Sequence, residues 1–228
     1  MANDPAIRSK AIALINEAAA YKYSYNFTWL GLPIIQLPQD IVAIQEIIWT
    51  TRPDVIIETG VAHGGSLILS ASILELLGGD GRVVGIDVDI RDHNRVEIEK
   101  HPLSKRITLV EGSSVNGQVI DQVKEIIDGK QSVMVTLDSS HTHEHVLEEL
   151  RLYSPMVTPG CYLTVLDTII EDMNDDSFPD RPWSVGDNPK TAVREFLREN
   201  DRFKIDQELE DRLLLTAAPA GYLQCLKD

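Results

Sequence analysis

Between Asp4 and Ala20 the apolar positions fall at Ile7, Ala11, Leu14, Ile15 and Ala18, a spacing of three and four that lines one helix face, with Pro5 suited to the first turn. From Tyr21 to Pro38 the period breaks. Gly31, Pro33 and Pro38 interrupt a stretch that gathers Tyr21, Tyr23, Tyr25, Phe27 and Trp29, which predicts an aromatic-rich loop. A second helix is expected from Pro38 to Thr50, with Ile41, Ile44 and Ile48 on one side and Arg52-Pro53 at its end.

Beyond Pro53 short apolar runs alternate with helical segments. Strands are predicted at Val55 to Glu58, Arg82 to Asp87, Arg106 to Val110, Val133 to Asp138 and Tyr162 to Asp167. Helices are predicted at Gly65 to Leu77, Arg91 to Lys100, Val115 to Asp128 and His141 to Tyr153. Strands separated by helix-length crossovers give a parallel sheet with helices on both faces, a doubly wound, Rossmann-like α/β fold. The pattern closes with a long loop (Ile169 to Asn188), a helix (Pro189 to Asn200) and strand-like segments at Phe203 to Asp206, Leu213 to Thr216 and Gly221 to Leu226. Residues 1–53 read as a helical cap on one compact unit, 54–228.

Composition narrows the function classes. The chain has 228 residues, 43% hydrophobic and 25% charged, as an ordinary folded domain has. Its net charge of -15 repels phosphate backbones and anionic membrane surfaces, which argues against a nucleic-acid partner. Met1 to Lys10 lacks the basic and apolar regions of a secretory signal, so a cytoplasmic location is expected. The apolar stretch Leu67 to Leu77 is interrupted by Ser70, Ser72 and Glu75 and is shorter than the roughly 18 residues of a membrane span. Cys161 and Cys225 lie in apolar surroundings and read as small buried thiols.

The stretch Val55-Ile-Ile-Glu-Thr-Gly-Val-Ala-His-Gly-Gly-Ser66 is a strand, a glycine loop and a helix start, the place where open α/β sheets bind ligands. It departs from the dinucleotide pattern. Glu58 would repel a pyrophosphate but suits a cationic ligand end, and S-adenosylmethionine carries both an ammonium and a sulfonium. Asp87, closing the second strand, can accept both hydroxyls of a ribose; Ser114, after the third, lies where an adenine edge would fall. Taken singly, Gly60 to Gly65 could be a turn, Asp87 a cap and Ser114 an N-cap. Their placement at three successive strand ends favours a nucleoside site.

Asp138 and Asp167 end the fourth and fifth strands on the same rim, where their oxygens suit Mg²⁺ or merely cap the following segments. Such an ion would lower the pKa of a substrate hydroxyl and direct its approach. Of three alternating histidines, His141 and His145 would share a helix face and His143 would not, so a zinc site is disfavoured. His141, three residues past Asp138, could remove the acceptor's proton or could be a hydrogen-bonded residue at the helix start. His63 would shape the glycine loop or touch the ligand. Glu171, Asp172, Asp175, Asp176, Asp180, Asp187 and Trp183 crowd the long loop, which reads as a cover for the acceptor. Trp29 and the nearby tyrosines could form the opposite wall or pack into the core.

The runs Trp29-Leu-Gly-Leu-Pro-Ile-Ile-Gln36, Gln45-Glu46, Glu58 to Ser66, Asp138-Ser-Ser-His141 and Asn188-Pro-Lys-Thr191 resemble the cephalosporin hydroxylase and rhamnosyl O-methyltransferase family over roughly residues 20 to 226. The resemblance implies a class I S-adenosylmethionine-dependent methyltransferase fold with a seven-stranded sheet. More distantly the glycine loop is similar to that of catechol O-methyltransferase. That likeness implies Glu58, Gly60 and Ser66 around the methionine part, Asp87 at the ribose, Ser114 at the adenine, and Asp138 and Asp167 as metal ligands. His63, Gly64 and Asp138 complete the expected cofactor contacts. Thr168 stands where catechol O-methyltransferase has Asn, and Leu166 where the antibiotic-hydroxylase relatives have Glu, which leaves the third ligand unassigned.

The expected function is S-adenosylmethionine-dependent, Mg²⁺-assisted O-methylation of a sugar or other polar small molecule, by a homo-oligomer. Hydroxylation is the first alternative, although neither a two-histidine-one-carboxylate set nor a flavin motif is evident. A cofactor-binding partner protein without turnover is the second.

Overall fold

The computed structural model describes residues 4–174, 177 and 179–228, so Asp175 and Asp176 lie outside the described residues. Helix α1 (Pro5–Ala19) starts as expected, with Pro5 in its first turn and the Asp4 carboxylate accepting from Ala6 N at 2.9 Å. The segment expected as a loop instead holds a hairpin, β1 (Phe27–Trp29) against β2 (Leu32–Ile34). Leu30 and Gly31 both take positive φ, 47° and 99°, the two-residue turn whose twist matches paired strands. Trp29 donates its indole N–H to Ser72 Oγ at 3.0 Å and so packs on the sheet's cover, while Tyr21, Tyr23 and Tyr25 are exposed. Helix α2 (Pro38–Thr51) ends where Arg52 turns left-handed ahead of Pro53.

The main sheet is built from β3 (Val55–Thr59), β4 (Arg82–Asp87), β5 (Ile107–Glu111), β6 (Val133–Leu137), β7 (Tyr162–Val165), β8 (Phe203–Ile205) and β9 (Tyr222–Cys225). Their spatial order is 5-4-3-6-7-9-8, with β9 antiparallel to both neighbours and the other pairs parallel. Every residue of β3 and β6 is buried, as central strands covered on both faces must be. One face packs on α5 (Gly117–Ile127), α6 (His143–Tyr153) and α7 (Pro189–Glu199) through Val123, Leu150 and Phe196. The other packs on α2, the hairpin and α3 (Gly65–Leu77) through Ile44, Ile34 and Leu67. Helix α4 (Asp92–Lys100) adds Ile98 to that second face.

The strand expected at Leu213 to Thr216 is absent. Asp206 caps a helix, α8 (Gln207–Leu213), by accepting from Leu209 N at 3.0 Å, and β9 is the sole main-sheet partner of β8 among the described residues. Three leucines in a row look like a strand, but the cap ahead of them commits the chain to a helix that buries Leu209. The two cysteines are free and buried. No described helix is long and apolar enough to cross a membrane.

Asp40 ties α2 to the last strand: its carboxylate accepts from Thr216 Oγ1, from Tyr222 OH at 2.7 Å and from Ala217 N at 2.8 Å. Burial nonetheless pushes its carboxyl up to about 6.

Candidate active site

The strand order reverses between β3 and β6, the switch point at which α/β sheets bind ligands. Backbone bonds stitch that rim together, Gly60 N to Ile86 O at 2.7 Å and Asp138 N to Thr59 O at 2.9 Å. Gly60 has φ +90°, and a Cβ on it would lie 2.0 Å from Asp138 O; a Cβ on Gly65 would lie 2.2 Å from Pro33 O. Both glycines are therefore demanded by backbone approach, the second bringing the hairpin onto the start of α3. A cleft opens between them, lined among others by Pro33, Gln36, His63, Gly64, Ser66 and Asp138.

Asp87 clamps the loop: Oδ2 accepts from Val61 N at 2.8 Å and Ala62 N at 3.4 Å, and Oδ1 from Asp89 N at 3.2 Å. His63 shapes the same turn, its Nδ1 3.3 Å from Asn94 Oδ1, while Asn94 Nδ2 donates to Ala62 O at 2.8 Å. Glu58 is sealed behind the loop and accepts from Ser66 Oγ. Burial pushes its carboxyl up to about 7, against the opposing pull of the serine.

Ser114 is buried, its Oγ 3.1 Å from His145 Nε2. Ser139 Oγ lies 3.1 Å from the same nitrogen and donates to Glu149 Oε1 at 2.7 Å, and Tyr153 OH donates to Ser114 O at 2.8 Å. Glu149 is fully buried, and its carboxylate, with Oε1 3.6 Å from His145 Nε2, raises the His145 pKa. Sequence reasoning missed this network joining the adenine ledge to the residue after Asp138. Its signal was the i,i+4 pair His145/Glu149 on one helix face.

Helix α6 begins at His143, not at His141, because Thr142 takes the extended cap position. His143 turns to α7, with Nδ1 2.8 Å from Thr191 Oγ1 and Nε2 3.3 Å from Glu195 Oε2, so the three histidines diverge. His141, left outside the helix, points to the rim: its Nε2 is 3.3 Å from Asp167 Oδ2. Asp138, His141 and Asp167 each present one ligand atom within 4.8 Å of the other two. Asp167 holds a left-handed backbone, φ 54°, a conformation that Asp and Asn adopt more readily than other side-chain-bearing residues. The Asp138 carboxyl is held well above the usual range by burial first and then by the charges of Asp167, Glu58 and Glu149. Leu166 and Thr168 bring no ligand: Leu166 is in the core and Thr168 Oγ1 donates to Pro219 O at 2.8 Å.

Trp183, from the long loop, meets His141 edge to face, ring centroids 4.6 Å apart, and Arg181 lies 5.2 Å over the indole. Three of the loop's described acids are fasteners. Glu171 accepts from Gly186 N at 2.9 Å, Asn188 Nδ2 at 2.6 Å and Arg194 Nη1 at 2.8 Å, Asp172 pairs with Lys190, and Asp187 accepts from His143 N at 2.7 Å.

Residues 21–226 match the family described as Rhamnosyl O-methyltransferase/CmcI. The chain belongs to this family. Rhamnosyl O-methyltransferases of Mycobacterium tuberculosis and Mycobacterium leprae are similar to it, the first 30% identical over 204 residues, covering 86% of this chain and 77% of that protein. The second is 27% identical over 200 residues, covering 86% and 82%. Among solved structures, CmcI in its Mg-SAM form has a TM-score of 0.62 at 20% identity, covering 89% of this chain and 77% of that one. The O-methyltransferase TomG from Streptomyces achromogenes, involved in tomaymycin synthesis and solved with SAM, has a TM-score of 0.59 at 15% identity, covering 96% and 90%. The fold is thus the class I methyltransferase fold, and family membership makes the chain an S-adenosylmethionine-dependent O-methyltransferase with a small-molecule acceptor.

The buried acids make stability depend on pH. Glu58 and Asp40 hold protons more tightly folded (about 7 and about 6) than unfolded (4.5 and 3.8), so stability falls as pH rises through the window between each group's unfolded and folded values. Each pH unit in it costs about 1.4 kcal/mol per group. The unliganded chain should melt on the order of 5 °C higher at pH 5.5 than at pH 7.5, and Glu58→Gln should remove much of the difference. Equal melting temperatures at the two pH values would refute the burial argument.

Proposed function

We propose that the chain methylates a hydroxyl of a sugar or sugar-bearing small molecule at the carboxyl ends of β3, β6 and β7, with a divalent cation at Asp138 and Asp167 and His141 as the base. The observation that carries this is the convergence of Asp138, His141 and Asp167, the first of which also lines the glycine-loop cleft. These residues fit a cation: two carboxylate oxygens suit Mg²⁺, and a bound cation would offset both the burial and the neighbouring charges that raise the Asp138 carboxyl. The CmcI structure with Mg and SAM supports that cation here. The sugar acceptor rests on the mycobacterial relatives' name, rhamnosyl O-methyltransferase, which also favours methyl transfer over hydroxylation.

The cation, when bound, would supply Lewis acidity and a fixed direction for the acceptor oxygen. S-adenosylmethionine supplies a methyl group on a sulfonium, open to in-line displacement by that oxygen. The protein's own residues do the rest. The His141 imidazole takes the hydroxyl's proton, and Asp167 Oδ2, 3.3 Å from its Nε2, stabilises the imidazolium. Trp183 fixes the imidazole plane and excludes water from one side. Glu58, Gly60, His63, Gly64 and Ser66 shape the methionine end, Asp87 has lone pairs for the ribose hydroxyls, and Ser114 marks the adenine end. Holding donor and acceptor in line accounts for much of the rate.

The test is incubation of the purified chain with S-adenosylmethionine, Mg²⁺ and a panel of rhamnosides, other glycosides and phenols, following S-adenosylhomocysteine. Product with a glycoside is expected. Cofactor binding by calorimetry without product from any acceptor would replace the enzyme reading with that of a partner protein.

A further inference from the structure

Gln36 sits between β2 and α2, 7% exposed, and lines the cleft opposite the glycine loop. Its side-chain carbonyl, Oε1, is sealed from solvent and has no hydrogen-bond partner among the described residues. A buried acceptor left unpaired is costly, and native chains leave few of them, so this one calls for a partner that the chain does not itself contain. Across the cleft α3 begins at Gly65 with Gly64 as its cap and no side chain bonded to its first N–H groups. Those donors and the helix dipole favour an anion.

One wall thus offers free N–H groups and the other a free carbonyl, the complement of an α-amino acid zwitterion. The acid that sequence reasoning assigned to the ammonium, Glu58, does not line the cleft; its carboxylate faces Ser66 behind the loop. We infer that Gln36 is a binding residue for the methyl donor's amino acid end, its Oε1 accepting from the ammonium while the start of α3 receives the carboxylate. This rests on the proposed reading of the cleft as the donor's methionine site. A neutral amide holds the ammonium without a second ionised group beside Asp138, where acids already crowd.

Calorimetry with S-adenosylmethionine and with 5′-methylthioadenosine, which lacks the amino acid end, tests the assignment on wild type, Gln36→Met and Gln36→Glu. Gln36→Met should bind S-adenosylmethionine about 10- to 100-fold more weakly, the loss of a hydrogen bond to a charged group, and methylthioadenosine as wild type does. Gln36→Glu, which keeps an acceptor, should retain affinity for S-adenosylmethionine within a few-fold. Undiminished S-adenosylmethionine binding by Gln36→Met, or equal losses for both ligands, overturns the assignment. If Gln36→Met does not fold, Gln36→Glu decides: a loss confined to S-adenosylmethionine or spread over both ligands counts against it. A wild-type chain that binds S-adenosylmethionine no better than methylthioadenosine would instead remove the underlying reading of the cleft.

Discussion

Asp138→Asn is expected to reduce methyl transfer by at least about 10³-fold while raising the melting temperature of the unliganded chain. The two effects share one cause. Asp138 is an acid surrounded by acids: burial, Asp167, Glu58 and Glu149 all disfavour its charge. The amide removes that repulsion and keeps the backbone bond from Asp138 N to Thr59 O at 2.9 Å, so the rim retains its shape. It also removes one of the two carboxylates proposed to hold the cation, whose loss extra Mg²⁺ should not restore. S-adenosylmethionine affinity should be largely spared, because the ribose and loop contacts lie on β3 and β4. Melting curves and S-adenosylhomocysteine formation at increasing Mg²⁺ check this. Turnover near wild type in excess Mg²⁺, or a lowered melting temperature, would show that Asp138 is a structural acid and no part of a cation site.

The central strands were legible because β3 and β6 each open on a three-residue apolar run, Val55 to Ile57 and Val133 to Val135, and only a strand covered on both faces can bury every residue of such a run. The glycine loop was legible for a related reason: Gly60 and Gly65 sit where a Cβ would strike the backbone of Asp138 or Pro33, so no other residue serves. Three features were hidden. The Leu30-Gly31 hairpin turn lay inside an aromatic cluster whose prolines argued for a loop. At Leu213 to Thr216 the apolar run outweighed the Asp206 cap that begins α8. His141 was placed on a helix that starts two residues later, and leaving that helix is what frees its ring to reach Asp167. Leu166 and Thr168 left the expected third ligand open; the fold brings His141 within ligand reach of both carboxylates. Asp167 meets the other two from a left-handed turn, which side-chain pattern does not encode.

His141→Ala should reduce kcat by about 10²- to 10⁴-fold with a sugar acceptor, the usual worth of a positioned base. His141 touches both halves of the chemistry, 3.3 Å from Asp167 and within ligand reach of Asp138, so loss of rate by itself would not separate a base from a cation ligand. Two further readouts do. For a base, the Mg²⁺ concentration giving half-maximal rate stays near that of wild type, since hard oxygen donors hold the ion and an imidazole adds little to Mg²⁺ affinity. The defect also shrinks with acceptor acidity: a phenol, ionised far more readily than a sugar hydroxyl, needs less help and should lose less rate. A large shift in Mg²⁺ requirement, with the same loss for phenols and sugars, would make His141 a ligand and leave the acceptor's proton to solvent. Trp183→Ala offers a control on geometry. It removes the ring that meets His141 at 4.6 Å but neither donor nor acceptor, so it should lower kcat by less than His141→Ala and leave the Mg²⁺ midpoint unmoved.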